Sequence, residues 1–196
     1  MDEKFKQQLD FLVEVDKLKT IYRQTLLIDQ SRRENDAEHS WHFALMAMVL
    51  YEYADQTKVN LARVLKMALL HDVVEIYAGD TFAFNEQDAV GAAEREKAAA
   101  DVLFGLLPRE QGREMKQLWQ EFEQMETADA KFASAMDRLQ PFINDYMTKG
   151  HTWGIGNVTS DKVRSRMSVV KEAAPELWGF VEYVIESSVD MGYLRR

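Results

Sequence analysis

Four side chains able to do metal or proton chemistry crowd into ten residues of the stretch ALLHDVVEIYAGDT, Ala68 to Thr81: His71, Asp72, Glu75 and Asp80. Leu61, Leu65, Ala68 and Asp72 fall at spacings of 4, 3 and 4, one stripe of a helix, and one more turn reaches Glu75. The stripe is apolar until Asp72, so carboxylates end a core-facing side. A buried, unpaired carboxylate costs several kcal/mol, and a divalent cation would meet that charge. The His-Asp pair alone does not establish one, and Asp80, beside Gly79, reads equally well as a turn residue.

Two more groups join them from other segments. His39 shares an apolar face with Phe43, Met46 and Leu50, where a lone histidine is more often a core residue bonded to a carbonyl. His42, near the same side, reads as packing or support. Asp137 lies on the side of a later helix lined by the small residues Ala130, Ala133 and Ser134, and Pro141 should kink that helix just beyond it. Together His39, His71, Asp72 and Asp137 make an imidazole and carboxylate set. It suits Mn²⁺, Co²⁺, Fe²⁺, Ni²⁺ or Mg²⁺ in an octahedral shell with water positions open.

The elements that must position these groups are helical. Nine Gly and three Pro in 196 residues, with abundant Ala, Leu, Met, Glu, Lys and Gln, favour helix, and an apolar fraction of 46% suits one domain over 1–196. There is no Cys, which removes disulfides, thiolate nucleophiles and Cys-ligated zinc. A net charge of -9 disfavours nucleic acid and anionic membranes, though one arginine and a metal can still make a phosphate site. The charged start, MDEKFKQQLD, and the lack of a long apolar run predict a cytoplasmic protein.

About eight helices and no strand are expected. The first covers about 3–18, burying Phe5, Leu9, Leu12 and Val13. A loop follows with Arg23 flanked by Ile21, Tyr22 and Leu26, and with Arg32 and Arg33 at its surface. Asp36 should cap a helix over about 37–53, and Gly79 should stop the next one. Phe82 and Phe84, in a loop over 81–88, either wall a pocket or merely pack. Further helices span about 89–107 (Val102, Leu103, Leu106 and Leu107 inside), 108–125, 128–148 capped by Thr127, 161–174, and 175–191 with Phe180 inside. The segment 150–160 reads as the clearest loop.

AEHS at 37–40, LLHDVVEIYAGDTF at 69–82 and AMDRLQP at 135–141 resemble the H…HD…D signature of the HD superfamily of metal-dependent phosphohydrolases. The branch is the 5′-deoxynucleotidase-like one, and the resemblance is firm over 35–146. It implies an all-α bundle, commonly a homodimer, that hydrolyses nucleoside 5′-monophosphates. It places metal ligands at His39, His71, Asp72 and Asp137. The catalytic acidic pair falls on Glu75 and Asp80, which in relatives handle the attacking water and leaving oxygen or hold a second ion, with Asp80 also touching substrate. The phosphate-binding arginine falls on Arg23. Bacterial relatives place a Trp beside that arginine to crowd out a ribose 2′-hydroxyl. Here Gln24 follows, leaving Trp41 or Trp153 as possible substitutes. Other phosphoesters (a cyclic nucleotide, a nucleoside triphosphate or an alarmone) and a non-catalytic nucleotide sensor are the alternatives.

Overall fold

The computed structural model describes residues 2–85 and 91–196, and is helical apart from one small hairpin. Its long elements are α1 (Glu3–Val15), β1 (Tyr22–Leu26), β2 (Arg33–Asn35), α2 (Asp36–Val49), α3 (Leu61–Leu70), α4 (Glu75–Ala78), α5 (Ala92–Phe104), α6 (Arg109–Gln124), α7 (Ala128–Met147), α8 (His151–Ile155), α9 (Ser160–Ala173) and α10 (Trp178–Asp190). Short 3₁₀ turns lie at Asp16–Thr20, Tyr51–Tyr53 and Pro175–Leu177. No helix among the described residues is long and apolar enough to cross a membrane.

Helix α7 is the axis. Ala130, Phe132, Ala133, Ala135, Met136 and Leu139 are all buried, and a helix apolar nearly all round must be surrounded. It packs against α2, α3, α6 and α9. Thr127 caps it as expected, its Oγ1 accepting the Ala130 N–H, and it continues as helix through Pro141. A second, smaller core gathers Phe11, Leu18, Val73, Val74, Leu103, Phe104 and Trp119. The two cores meet at residues 71–74. There His71 lies edge-on to Phe43 and Phe122 of the first core, while Val73 and Val74 anchor in the second.

Several expectations need correction. The loop after α1 contains an antiparallel hairpin, with Tyr22 opposite Asn35 and Leu26 opposite Arg33. YRQTL shows no clean alternation because its burial comes from contacts with α7 and α8. Phe5, Leu9, Leu12 and Val13 are 40–65% exposed; α1 buries Phe11 instead, so its apolar stripe is left uncovered by the described residues. Val102 and Phe180 are likewise exposed. Helix α3 ends at Leu70, not beyond Glu75, although Gly79 does close the following turn at φ +78. The cap of α2 is Asn35, in a reciprocal capping box with Glu38, so Asp36 is the first helical residue. The segment 150–160 contains α8. Residues 86–90, part of the expected 81–88 loop and of the expected 89–107 helix, lie outside the described residues.

Candidate metal centre and active site

The end of α3 brings His71 and Asp72 out of the core just where the helix stops. His71 donates from Nδ1 to the Ala68 carbonyl at 2.9 Å, which turns its Nε2 into the site as the nitrogen that can meet a metal. That Nε2 is buried with no hydrogen-bond partner among the described residues. It lies 3.1 Å from Asp72 Oδ2 and 3.5 Å from Asp137 Oδ1. His39, fully buried on α2, is held from behind in the same way, by Gln140. The Gln140 amide nitrogen donates to Glu34 Oε1 at 2.8 Å, so its Oε1 faces His39 Nδ1, also at 2.8 Å, and accepts that proton. His39 Nε2 then points at Asp137 Oδ1, 2.9 Å away. His42 completes the support, 3.1 Å from the Gln140 nitrogen.

Two imidazole nitrogens and two carboxylate oxygens thus converge, and donor atoms of His39, His71 and Asp72 all lie within 4.8 Å of one another. Such a set repels itself unless a cation enters, and it fits a divalent ion of the kind oxygen and imidazole ligands hold. The electrostatics of the site pull the same way. Burial would lower the His71 pKa, but Asp72 and Asp137 outweigh it and raise it to about 10. Burial would raise Asp72, yet His71 and Arg23 bring it down to about 2. Asp137 is also held well below its ordinary value: burial would raise it, but the neighbouring His39 and His71 outweigh burial.

Beside this metal corner is an acid corner. Carboxylate oxygens of Asp36, Glu75 and Asp80 lie within 4.8 Å of one another. Asp36 Oδ2 and Glu75 Oε2 are buried without partners among the described residues. Burial and Asp72 raise Asp36 to about 6; burial with Asp72 and Asp36 raises Glu75 far more. Asp80 is raised mainly by burial. Arg23, carried by β1, joins the corners: its Nη1 is 2.8 Å from Asp72 Oδ2 and 3.4 Å from Asp36 Oδ1. Burial opposes its charge, but these acids and Asp80 hold it firmly protonated.

Both corners open into a cavity of about 320 Å³, walled by Phe82 and Phe84 and lined by Gln24. All seven residues singled out by sequence are therefore brought together: His39, His71, Asp72 and Asp137 around one point, with Arg23, Glu75 and Asp80 beside them. Arg32 pairs with Glu38 at the surface, as a solvated arginine should. Neither suggested tryptophan lines the cavity: Trp41 is exposed, and Trp153 is buried against Phe142. Reasoning from sequence missed Asp36, Glu34, Gln140, Arg138 and Arg166. The signal for Asp36 was present, because Asn35-x-x-Glu38 is a capping box that frees the residue between for another task.

The pattern that defines the HD domain matches residues 15–178. The chain belongs to the HD domain family. Among relatives of this HD domain, the 5′-deoxynucleotidase HDDC2 of Xenopus laevis is 32% identical over 139 residues, covering 70% of this chain and 67% of the relative. HDDC2 of Homo sapiens is 30% identical over 136 residues, covering 69% and 65%. The chain spans about two-thirds of the length of these curated relatives. A crystal structure from Magnetospirillum magnetotacticum MS-1, described as a predicted metal-dependent phosphohydrolase, is 50% identical with a TM-score of 0.94. It matches 98% of this chain and 96% of that one. An HD-domain phosphohydrolase from Listeria innocua shares the fold at 16% identity and a TM-score of 0.66, over 95% of each chain.

Proposed function

We propose that this HD-domain protein is a divalent-metal-dependent phosphohydrolase that releases phosphate from nucleoside 5′-monophosphates, 2′-deoxy forms included. The observation that carries this is the convergence of two imidazoles, each oriented by a bond behind the ring, on two carboxylates. His39, His71, Asp72 and Asp137 would hold one ion, from Mn²⁺, Co²⁺, Fe²⁺, Ni²⁺ or Mg²⁺. Such an ion supplies Lewis acidity toward a phosphoryl oxygen and makes water a nucleophile near neutral pH.

The chain's own residues account for the rest. Arg23 takes phosphoryl oxygens; its buried Nε–H has no acceptor among the described residues. Glu75 accepts the proton of the attacking water, its own proton having been displaced by positive charge brought into the site. Asp80, whose pKa burial raises, donates to the departing 5′-oxygen and contacts substrate. A second reading is favoured by the unpartnered oxygens of the acid corner: Glu75 and Asp80, with Asp36, would hold a second ion.

One domain spanning 1–196, a cytoplasmic location and a homodimer complete the reading. The exposed apolar faces of α1 (Phe5, Leu12, Val13) and α2 (Trp41, Met48, Val49) are what a second copy would cover. The net charge of -9 fits a small nucleotide ligand better than nucleic acid or membrane. The deciding experiment strips the protein of metal, reloads it with each ion in turn, and measures phosphate against pyrophosphate release across a nucleotide panel. Phosphate from 5′-monophosphates, only after reloading, is expected. Pyrophosphate release would point to triphosphates, and tight nucleotide binding without turnover under any metal would point to a sensor.

A further inference from the structure

Besides Arg23, two more arginines bring positive charge to the cavity, on the side of Asp137. Arg138 follows Asp137 on α7, and Arg166 faces it from α9; both line the cavity with Phe84. Arg138 is occupied: Nη1 donates to the Arg166 carbonyl at 2.8 Å and Nη2 contacts Met125 Sδ at 3.1 Å. The Arg166 guanidinium lies over the Phe84 ring, 5.9 Å from its centroid, and has no hydrogen bond or ion pair among the described residues. Among the described residues, the acids on this wall are committed elsewhere. Asp137 faces the two imidazoles. Asp145, the other carboxylate on this wall, accepts from the Thr152 N–H with one oxygen and from its hydroxyl with the other. The cost of this arrangement shows in Arg166 itself: burial, then repulsion from Arg138 and Arg23, bring its pKa down to about 10 although Asp137 opposes them.

We infer that Arg138 and Arg166 form a second anion subsite of this cavity, for a phosphoryl group the substrate carries besides the one to be cleaved. The inference rests on the reading of the cavity as a nucleotide site and extends its substrate class to nucleotides that carry a second phosphoryl group. Two guanidiniums that repel each other in a half-buried cavity are stabilised by a full negative charge, whereas the neutral edge of a base offers only dipoles. Arg166 presents an unoccupied planar fork of the kind that takes two phosphoryl oxygens at once. Arg138 is the positioning partner, fixing α9 through the Arg166 carbonyl while adding charge. Lys162 and Ser165 border the outer edge of the same wall.

The test is equilibrium binding to the protein as purified, using 2′-deoxyadenosine analogues whose scissile ester is a non-cleavable methylenephosphonate. Three are compared: the 5′-phosphonate alone, the same with a 3′-phosphate, and its 5′-diphosphate counterpart. One of the two doubly charged ligands should bind about tenfold tighter or more than the first, a step of about 1.4 kcal/mol. Which one does so distinguishes a 3′ from a 5′ source of the second group. Arg166→Met should erase the advantage and leave the singly charged ligand's affinity nearly unchanged, and Arg166→Lys should restore part of it. Circular dichroism checks each fold, and Arg138→Met provides an independent loss. Equal affinities in the wild type, an advantage that survives Arg166→Met, equal losses for all three ligands, or no binding at all would overturn the inference. Phosphate release from a natural 5′-monophosphate on the same preparation tests the hydrolase reading separately: its absence with the affinity pattern intact would sink that reading alone.

Discussion

The metal corner and the acid corner share a cavity wall and are both rich in carboxylate, yet they are built in opposite ways. In the metal corner, each imidazole has a dedicated group behind it, Ala68 O for His71 and Gln140 for His39. In the acid corner, Asp36 and Glu75 each keep a buried oxygen with no partner among the described residues. The first is preorganised, since orientation and tautomer are fixed before any ligand arrives. The second stores like-charge repulsion, relieved by protons, by Arg23 or by a cation. Preorganisation suits retention of an ion; stored repulsion suits groups that must take up and release protons within one cycle.

Breaking the metal corner should have the largest effect. Asp72→Ala should lose both the bound ion and turnover, read by metal analysis and phosphate release, while helicity persists; full activity in metal-depleted Asp72→Ala would sink the mechanism. Breaking the acid corner should separate the two. Glu75→Gln should keep the first ion and nucleotide affinity while kcat falls by about 10²–10⁴. Rescue of Glu75→Gln by high metal concentration would assign Glu75 to a second ion instead. Removing only the support behind His39 is milder: Gln140→Leu should weaken metal affinity by about 10–100-fold, measured in metal buffers, with kcat largely recovered at saturating metal. Arg23→Ala, which disconnects the corners, should leave metal content unchanged and lower kcat/KM by the about 1.5–3 kcal/mol of a charge-assisted contact.

The smallest effect belongs to Asp145, an acid on the cavity wall in neither corner. Burial raises it to about 6 against its two bonds from Thr152. The folded state then holds a proton that the unfolded chain, with an ordinary value of 3.8, has released. Its contribution to stability is complete below about pH 4 and is lost as pH rises through 6, at no more than about 1.4 kcal/mol per pH unit. Asp145→Asn should flatten the denaturation midpoint over that window; an unchanged profile would assign the slope to other acids.

The candidate metal residues were legible from a distinctive run, LLHD with Glu75 and Gly79-Asp80 following, and not from helical period, since α3 ends at Leu70. The family pattern extends further than the 35–146 read from motifs, reaching 15–178. What escaped was whatever depends on tertiary neighbours. Gln140 and Glu34 look like surface polar residues until α7 and β2 set them behind His39. Arg138 and Arg166 lie 28 residues apart and acquire meaning only when α7 packs on α9. The stripe of α1 was correctly seen as apolar, but sequence cannot say whether its cover lies within one chain.

The hairpin that carries Arg23 has a dynamic consequence. Its ladder has two strands only, with an irregular register, and an isolated pair of this kind is marginal without its surroundings. Beyond that ladder, a 3.3 Å bond from Asn144 to the Leu26 carbonyl tethers it to α7. Opening of this unit should need far less free energy than unfolding the α7 core. Amide hydrogens of residues 22–26 should therefore exchange with solvent well before those of 132–139, and a nucleotide gripping Arg23 should slow them selectively.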